Sequence, residues 1–111
     1  MVAYIIMALI AYAIGSVNFS VIISKKMAGF DVREKGSGNA GSTNVLRTVG
    51  KKAAAITLVC DILKGVVAIL IALLVGLIAG ESASKAILVE VAALAVVLGH
   101  TFPVFFGFRG G

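Results

Sequence analysis

The sequence contains little charge and almost no cysteine. Only 14% of its 111 residues are charged, whereas 60% are hydrophobic and the mean hydropathy is +1.12. This composition excludes an ordinary soluble domain. Cys60 is the only cysteine, so one chain can have neither an internal disulfide framework nor a cysteine-based metal site. A chain of this length and composition has room for three membrane-spanning helices and little else.

Acidic residues are also scarce, because five Asp and Glu stand against ten Lys and Arg, a formal net charge of +5. Such an excess could indicate nucleic-acid binding. Most of the aromatic residues, however, lie inside apolar runs, and most of the basic residues lie beside the ends of those runs. Membrane topology and anionic lipid headgroups explain this distribution better, and we expect no nucleic-acid partner.

Three apolar runs, at about residues 2–23, 53–79 and 85–106, predict an all-α integral membrane protein with a single membrane domain. The first run carries no charge and is long enough to cross a hydrocarbon core of ~30 Å. A cleaved signal peptide is the alternative, but no Lys or Arg precedes the run, so a retained helix is favoured. Asn18 should face protein or the site, because lipid cannot satisfy its amide.

The segment 25–52 joins the first two spans and carries seven of the ten basic residues. By the positive-inside rule this segment is cytoplasmic and the N-terminus is outside. Four of the seven residues flank the spans and are explained by topology alone. The three that bracket the glycines are better candidates for ligand binding: Arg33, Lys35 and Arg47.

The glycine-rich stretch 36–47, GSGNAGSTNVLR, predicts an anion site. Glycine permits positive φ, so that successive backbone N–H groups can converge on one ligand. Ser42, Thr43 or Asn44 could N-cap a short helix that ends at Gly50 in the left-handed conformation. A helix N-terminus with an arginine one turn on attracts anions.

Two other interpretations of this stretch compete with an anion site. Segments rich in glycine, serine and asparagine are most often plain turns or linkers. The common nucleotide motifs do not fit, because GxxxxGK[ST] is absent and the one GxGxxG pattern, at 36–41, follows no apolar strand.

Ionisable residues inside the second and third spans are the next candidates. Asp61 and Lys64 are three residues apart, on one helical face, and can pair. They are either functional or a self-neutralising pair that fixes the helix position. His100 lies near the inner end of the third span, on the same side of the membrane as the glycine-rich stretch. Both a structural and a functional role remain open for it.

Three ordered motifs make the chain resemble the bacterial acyl-phosphate:glycerol-3-phosphate acyltransferases, the PlsY family. They are GSGNxGxTNVLR at 36–47, DxLKG at 61–65 and GHxFPVFxGFRGG at 99–111, with Gly15-Ser16 as a further match. Ser42 and Arg109 stand where the family more often has alanine and lysine, and neither difference threatens an anion site. The resemblance covers nearly the whole chain.

The resemblance implies a multi-pass enzyme of the bacterial plasma membrane that acylates glycerol 3-phosphate from acyl phosphate, with no cofactor and no metal. The product, 1-acyl-glycerol-3-phosphate, enters phospholipid biosynthesis. The implied catalytic residues are Ser37, Arg47 and His100, with Asp61 and Lys64 as support. The implied phosphate-binding residues are Gly36, Gly38, Asn39, Gly41, Thr43, Asn44, Arg109, Gly110 and Gly111.

In the family, the paired glycines run on into a lysine, further spans and a third motif. We therefore expect this chain to be the N-terminal part of a larger polytopic bundle, about half of it. The missing C-terminal part is then its partner, and the chain alone is expected to be inactive.

Because an acyl phosphate is already activated, we expect the hydroxyl of glycerol 3-phosphate to attack it directly. The protein would then orient the substrates and stabilise developing charge. A Ser37–His100 nucleophile is conceivable, but no carboxylate completes a triad and no GxSxG occurs. The alternative is a non-catalytic membrane module, such as part of an organic-anion transporter, with its polar residues around a midplane cavity.

Overall fold

The computed structural model describes residues 1–111 and is entirely helical, as expected. Three segments are long and apolar enough to span a membrane: Val2–Ala28, Lys51–Ser82 and Lys85–Phe106. The α-helices are α1 (Val2–Gly15), α2 (Phe19–Ala28), α3 (Ser42–Thr48), α4 (Lys51–Ala79) and α5 (Lys85–Thr101). Three short 3₁₀-helices cover Val32–Glu34, Gly80–Ser82 and Val104–Phe106.

Helix α4 is the longest element and runs along almost the whole molecule. Its 29 residues extend about 43 Å at 1.5 Å per residue, and the longest dimension of the molecule is 48 Å. Its outward side chains are large and apolar, among them Leu70, Leu74 and Leu77, which are 55–72% exposed. A surface of this kind is suited to lipid rather than water.

The first span is not the single helix that we predicted over residues 2–23. Helix α1 ends at Gly15, and α2 begins only at Phe19. Between them Asn18 adopts an extended backbone (φ −92°, ψ 98°), and its Oδ1 accepts hydrogen bonds from the Val21 N–H at 3.2 Å and the Ser20 hydroxyl at 2.7 Å. Asn18 is therefore the N-cap of a second helix, because its side chain replaces a missing helical acceptor.

Helices α1 and α5 cross at main-chain contact because both carry glycine at the crossing. A Cβ at Gly15 would overlap the Val96 carbonyl oxygen, and a Cβ at Gly99 would overlap the Tyr12 carbonyl oxygen. Small residues at such positions let membrane helices approach closely. The crossing brings the end of α1 beside the end of α5.

The opposite end of the bundle is fixed by the turn between α4 and α5. The Ser84 hydroxyl caps α5 by accepting from the Ile87 N–H at 3.4 Å, and the Ser84 N–H donates to the Tyr4 hydroxyl at 2.8 Å. The start of α1 thus lies beside this turn. It follows that the α1–α2 break, the end of α5 and segment 25–52 share the other end.

Segment 25–52 forms a small lobe against the first half of α4. A second buried cluster, separate from the core of the long helices, holds this lobe together: Val21, Val32, Ala40, Val45 and Ala53. The segment is therefore folded rather than a loose linker.

Candidate active site

The glycine-rich stretch is organised around the buried side chain of Asn44, which is 1% exposed. Its Nδ2 donates to the carbonyls of Val32, Lys35 and Asn39 at 2.9, 3.0 and 3.0 Å. Its Oδ1 accepts from the Ser37 N–H at 3.1 Å. Because the main chain binds both ends of the amide, Asn44 shapes the stretch. The expected role of Asn44 as a helix cap is corrected, since Gly41 is the N-cap of α3, and its role as a phosphate ligand stays a prediction.

Two glycines of the stretch are required by its conformation. Gly36 and Gly38 have φ values of +55° and +79°, a region that side chains rarely adopt. A Cβ at Gly36 would also overlap the Asn44 Oδ1. Glycine at 36 thus lets the chain turn tightly over Asn44.

The short helix expected through Arg47 is present, but its ends differ from the prediction. Gly41 is the N-cap of α3, with an extended backbone and no side-chain hydrogen bond, so Ser42 and Thr43 lie in the first turn. Gly50 has φ +139° and is the N-cap of α4 rather than a left-handed end of α3. The predicted side-chain cap was therefore wrong.

Four of the predicted site side chains on this lobe are exposed: Ser37, Asn39, Thr43 and Arg47. The Ser37 hydroxyl accepts only a long hydrogen bond, 3.4 Å, from the Asn39 N–H. Arg47 forms no ion pair, and it lies one turn after Thr43 on the same face of α3. These side chains are available to a ligand.

Arg33, in contrast, is occupied within the protein. Its guanidinium binds the Asp31 carboxylate, with Nη2–Oδ2 at 2.6 Å and Nε–Oδ1 at 3.0 Å. Its Nη1 donates to the carbonyls of Phe106 and Arg109 at 2.5 and 2.9 Å. The hydrogen bond from Arg33 holds the pKa of Asp31 below its usual value. Arg33 therefore links the lobe to the C-terminal segment, and its expected role as a ligand residue stays a prediction.

The C-terminal glycines fold back over the end of α5. The N–H of Gly110 donates to the Thr101 carbonyl and that of Gly111 to the His100 carbonyl, both at 3.0 Å. A Cβ at Gly111 would overlap the His100 Nε2 and lie 2.9 Å from the Ala40 carbonyl oxygen. Gly111 thus lies close to both His100 and the glycine-rich stretch, so the first and third motifs meet near His100.

The expected Asp61–Lys64 pair is present, with Nζ and Oδ1 3.4 Å apart. Lys64 is only 7% exposed. Its Nζ also lies 3.0 Å from the Gly15 carbonyl oxygen, 3.1 Å from that of Val17 and 2.9 Å from the His100 Nδ1. The sequence did not predict these three contacts. A cavity of about 230 Å³ opens beside the cluster and is lined by Asp61, Lys64, Gly65, Val96, Val97 and His100.

The structure therefore brings the three motifs to one end of the bundle without joining all the predicted residues. His100, Gly110 and Gly111 are partly buried at the junction, whereas Arg109 is exposed. No hydrogen bond connects Ser37 to His100. A preformed Ser–His pair is accordingly absent, and Ser37, Arg47 and Arg109 are exposed.

Comparison with known proteins gives concordant matches. The family model for glycerol-3-phosphate acyltransferase matches residues 5–111. The chain is 49% identical over 109 residues to the glycerol-3-phosphate acyltransferase of Clostridioides difficile (strain 630), covering 98% of this chain and 52% of that protein. It is 50% identical over 102 residues to the glycerol-3-phosphate acyltransferase of Neisseria meningitidis serogroup B, covering 92% of this chain and 50% of that protein.

Two solved structures are also similar. Both are of PlsY, described as an integral membrane glycerol 3-phosphate acyltransferase. The glycerol 3-phosphate form has a TM-score of 0.73 and 40% identity, and the lysophosphatidic acid form 0.69 and 38%. Each match covers 97% of this chain and 50% of the other. The chain thus spans about half the length of the relatives that it matches.

Proposed function

Since the chain belongs to the glycerol-3-phosphate acyltransferase family, we propose that it forms part of a membrane enzyme that transfers an acyl group from acyl phosphate to glycerol 3-phosphate. The product is 1-acyl-glycerol-3-phosphate. The observation that carries the proposal is the meeting of two glycine-rich segments at His100, where Gly111 lies close to both the His100 ring and the Ala40 carbonyl.

Each substrate of this reaction carries a phosphate, so the enzyme needs two anion-binding groups near one another. One candidate is the stretch 36–47 with the exposed Arg47, and the other is the segment 107–111 with the exposed Arg109. Arginine suits this task because its planar guanidinium can donate two parallel hydrogen bonds to a phosphate. The phosphate-binding role of Gly36, Gly38, Asn39, Gly41 and Thr43 belongs to the same proposal.

The reaction requires the two substrates to be oriented, because the acyl phosphate is already activated. The glycerol hydroxyl oxygen forms a bond to the acyl carbon, the bond from that carbon to the phosphate oxygen breaks, and inorganic phosphate leaves with the hydroxyl proton. Arg47 and Arg109 hold the phosphates, while Ser37 and His100 donate hydrogen bonds at the reacting centre. Groups fixed in advance by the fold stabilise the developing negative charge without reorganising.

The proposed location is the bacterial plasma membrane, with the N-terminus outside and the site at the cytoplasmic side. The seven basic residues of segment 25–52 support this orientation. The part of the relatives' length that this chain does not match would complete the site and is the proposed partner.

A non-catalytic module or part of an organic-anion transporter is the second candidate. Such a protein would place its polar groups around a midplane cavity. Instead, the half of the bundle next to the α4–α5 turn has an apolar core that includes Met7, Ala11, Leu88 and Ala92. The polar residues gather where α1 and α5 end, which favours the enzyme.

The proposal is tested with a chimera. This chain replaces the 109-residue segment that it matches in the C. difficile relative, and membranes containing the chimera receive labelled glycerol 3-phosphate and acyl phosphate. We expect labelled lysophosphatidate, and none when Ser37→Ala is introduced. A chimera that inserts normally but forms no product contradicts the proposal, as does uptake of organic anions by vesicles that contain it.

A further inference from the structure

Lys64 has as many hydrogen-bond acceptors around it as an ammonium group has hydrogens. The Gly15 carbonyl, the Val17 carbonyl and the His100 Nδ1 lie 3.0, 3.1 and 2.9 Å from Nζ. An ammonium group has three N–H donors and no acceptor. The two carbonyls can only accept, and if the third N–H is directed to Nδ1, that nitrogen carries no proton.

Asp61 supports the charged form of Lys64. Its Oδ1 lies 3.4 Å from Nζ but has no hydrogen-bond partner. This combination is expected when all three N–H groups are directed elsewhere and the carboxylate acts only as a counter-charge. A buried ammonium without such a partner would be strongly disfavoured.

The other ring nitrogen of His100 faces the proposed site. A Cβ at Gly111 would overlap Nε2 and lie 2.9 Å from the Ala40 carbonyl oxygen, so Gly111 and the glycine-rich stretch are both close to Nε2. In a neutral imidazole, the hydrogen bond made by one nitrogen decides which nitrogen carries the proton. A donor at Nδ1 therefore leaves the N–H at Nε2.

We infer that Lys64 is a positioning residue, which donates to Nδ1 and so holds His100 in the Nε2–H form, with that N–H directed to the junction of the two glycine-rich segments. The inference rests on the proposed function, in which this N–H serves a phosphate oxygen. The same Lys64 binds two carbonyls at the α1–α2 break, those of Gly15 and Val17, so the end of α1 and the His100 ring are fixed by one side chain.

The chain has one histidine, so nitrogen NMR of the ¹⁵N-histidine-labelled chain observes His100 alone. The chain is studied in phosphatidylcholine–phosphatidylglycerol vesicles without substrate. We expect a protonated Nε2 and an unprotonated Nδ1. In Lys64→Met, a part of the His100 population should become protonated at Nδ1. Lys26→Met, which removes an exposed lysine without a hydrogen bond, should leave the spectrum unchanged.

Two results would overturn the inference: protonation at Nδ1 in the unsubstituted chain, where a neutral Lys64 amine would accept from it, or an unchanged spectrum in Lys64→Met. If Lys64→Met does not insert into the membrane, the double variant Asp61→Asn/Lys64→Met replaces it, because it also removes the uncompensated carboxylate. The protonation of His100 in the unsubstituted chain tests the inference in either case. The C-terminus at Gly111 is the same in all variants, so any effect of it on Nε2 does not alter the comparison between them.

This readout is separate from the proposed function, because it needs no acyl transfer. An inactive chimera with His100 in the Nε2–H form would contradict the proposed function alone. An active chimera whose chain has Nδ1 protonated would contradict the role of Lys64 alone.

Discussion

Asn44 and Lys64 are both buried polar residues that bind main-chain carbonyls outside their own helices. Asn44 joins three carbonyls of the glycine-rich lobe, and Lys64 joins two at the α1–α2 break. Backbone groups buried in or near a membrane need such partners, because neither lipid nor water satisfies them there.

Replacement of Asn44 should destabilise the lobe. Asn44→Asp keeps the shape but removes both N–H donors and adds a negative charge, so three carbonyls lose their partner. We expect a loss of about 1–3 kcal/mol in the free energy of unfolding, measured by thermal unfolding in detergent. Asn39→Asp is the matched control, since Asn39 is exposed and uses only its main chain. Equal stability of the two variants would count against the role of Asn44.

The Asp61–Lys64 pair predicts a non-additive result. Lys64→Met leaves the Asp61 carboxylate uncompensated in a low-dielectric setting, so it should lower the thermal midpoint more than Asp61→Asn/Lys64→Met does. Unfolding of the single and double variants in detergent measures the difference. A double variant that is as unstable as Lys64→Met would show that the two charges do not compensate each other.

At the scale of elements, hydropathy predicted the three spans but not the break in the first one. Ser16, Asn18 and Ser20 interrupt an apolar run at every second position, and such a pattern is compatible with a continuous helix that faces protein. The break depends on the extended backbone of Asn18 and on its cap to Val21. Those torsion angles follow from tertiary contacts, including Lys64, that lie 47 or more residues away.

The α1–α5 crossing predicts different effects for two helical glycines. Gly99→Ala places a methyl group onto the main chain of α1, so the helices must separate, at a cost of about 1–3 kcal/mol. Gly65→Ala is the control, because nothing lies within 4 Å of its added Cβ, and alanine favours a helix by up to ~1 kcal/mol. Thermal unfolding of both variants in detergent should show a lower midpoint for the first only. A normal midpoint for Gly99→Ala would contradict the close crossing.

At the scale of the whole molecule, the sequence motifs identified the family and the residues of the junction, but not how those residues divide the work. In the sequence, Asn44 and Arg33 cannot be distinguished from Ser37 and Arg47, because all four are polar residues near glycines. Only the fold shows that the first two bind the main chain and the last two are exposed. Similarly, nothing local to Lys64 indicates that His100 is its neighbour.

The orientation of the molecule is a separate prediction. Seven basic residues lie in segment 25–52, whereas Lys85 is the only one beside the α4–α5 turn, so that turn should face outward. In a Cys60→Ser background, Ser82→Cys should react with an impermeant thiol reagent added to intact cells, and Ser37→Cys should react only after lysis. Labelling at position 37 in intact cells would contradict the topology.

The central claim is that the exposed Arg47 of the glycine-rich lobe binds a substrate phosphate, and acyl transfer by the C. difficile chimera tests it most directly. Arg47→Ala should lower kcat/KM for glycerol 3-phosphate by roughly 100-fold or more, the range for loss of a preorganised charge contact. Arg47→Lys should restore only part of it, because lysine keeps the charge without the planar fork. Lys51→Ala, four residues on, should leave the rate unchanged, and residues 1–111 alone should form no product. Normal kinetics for a correctly inserted Arg47→Ala chimera would contradict the account.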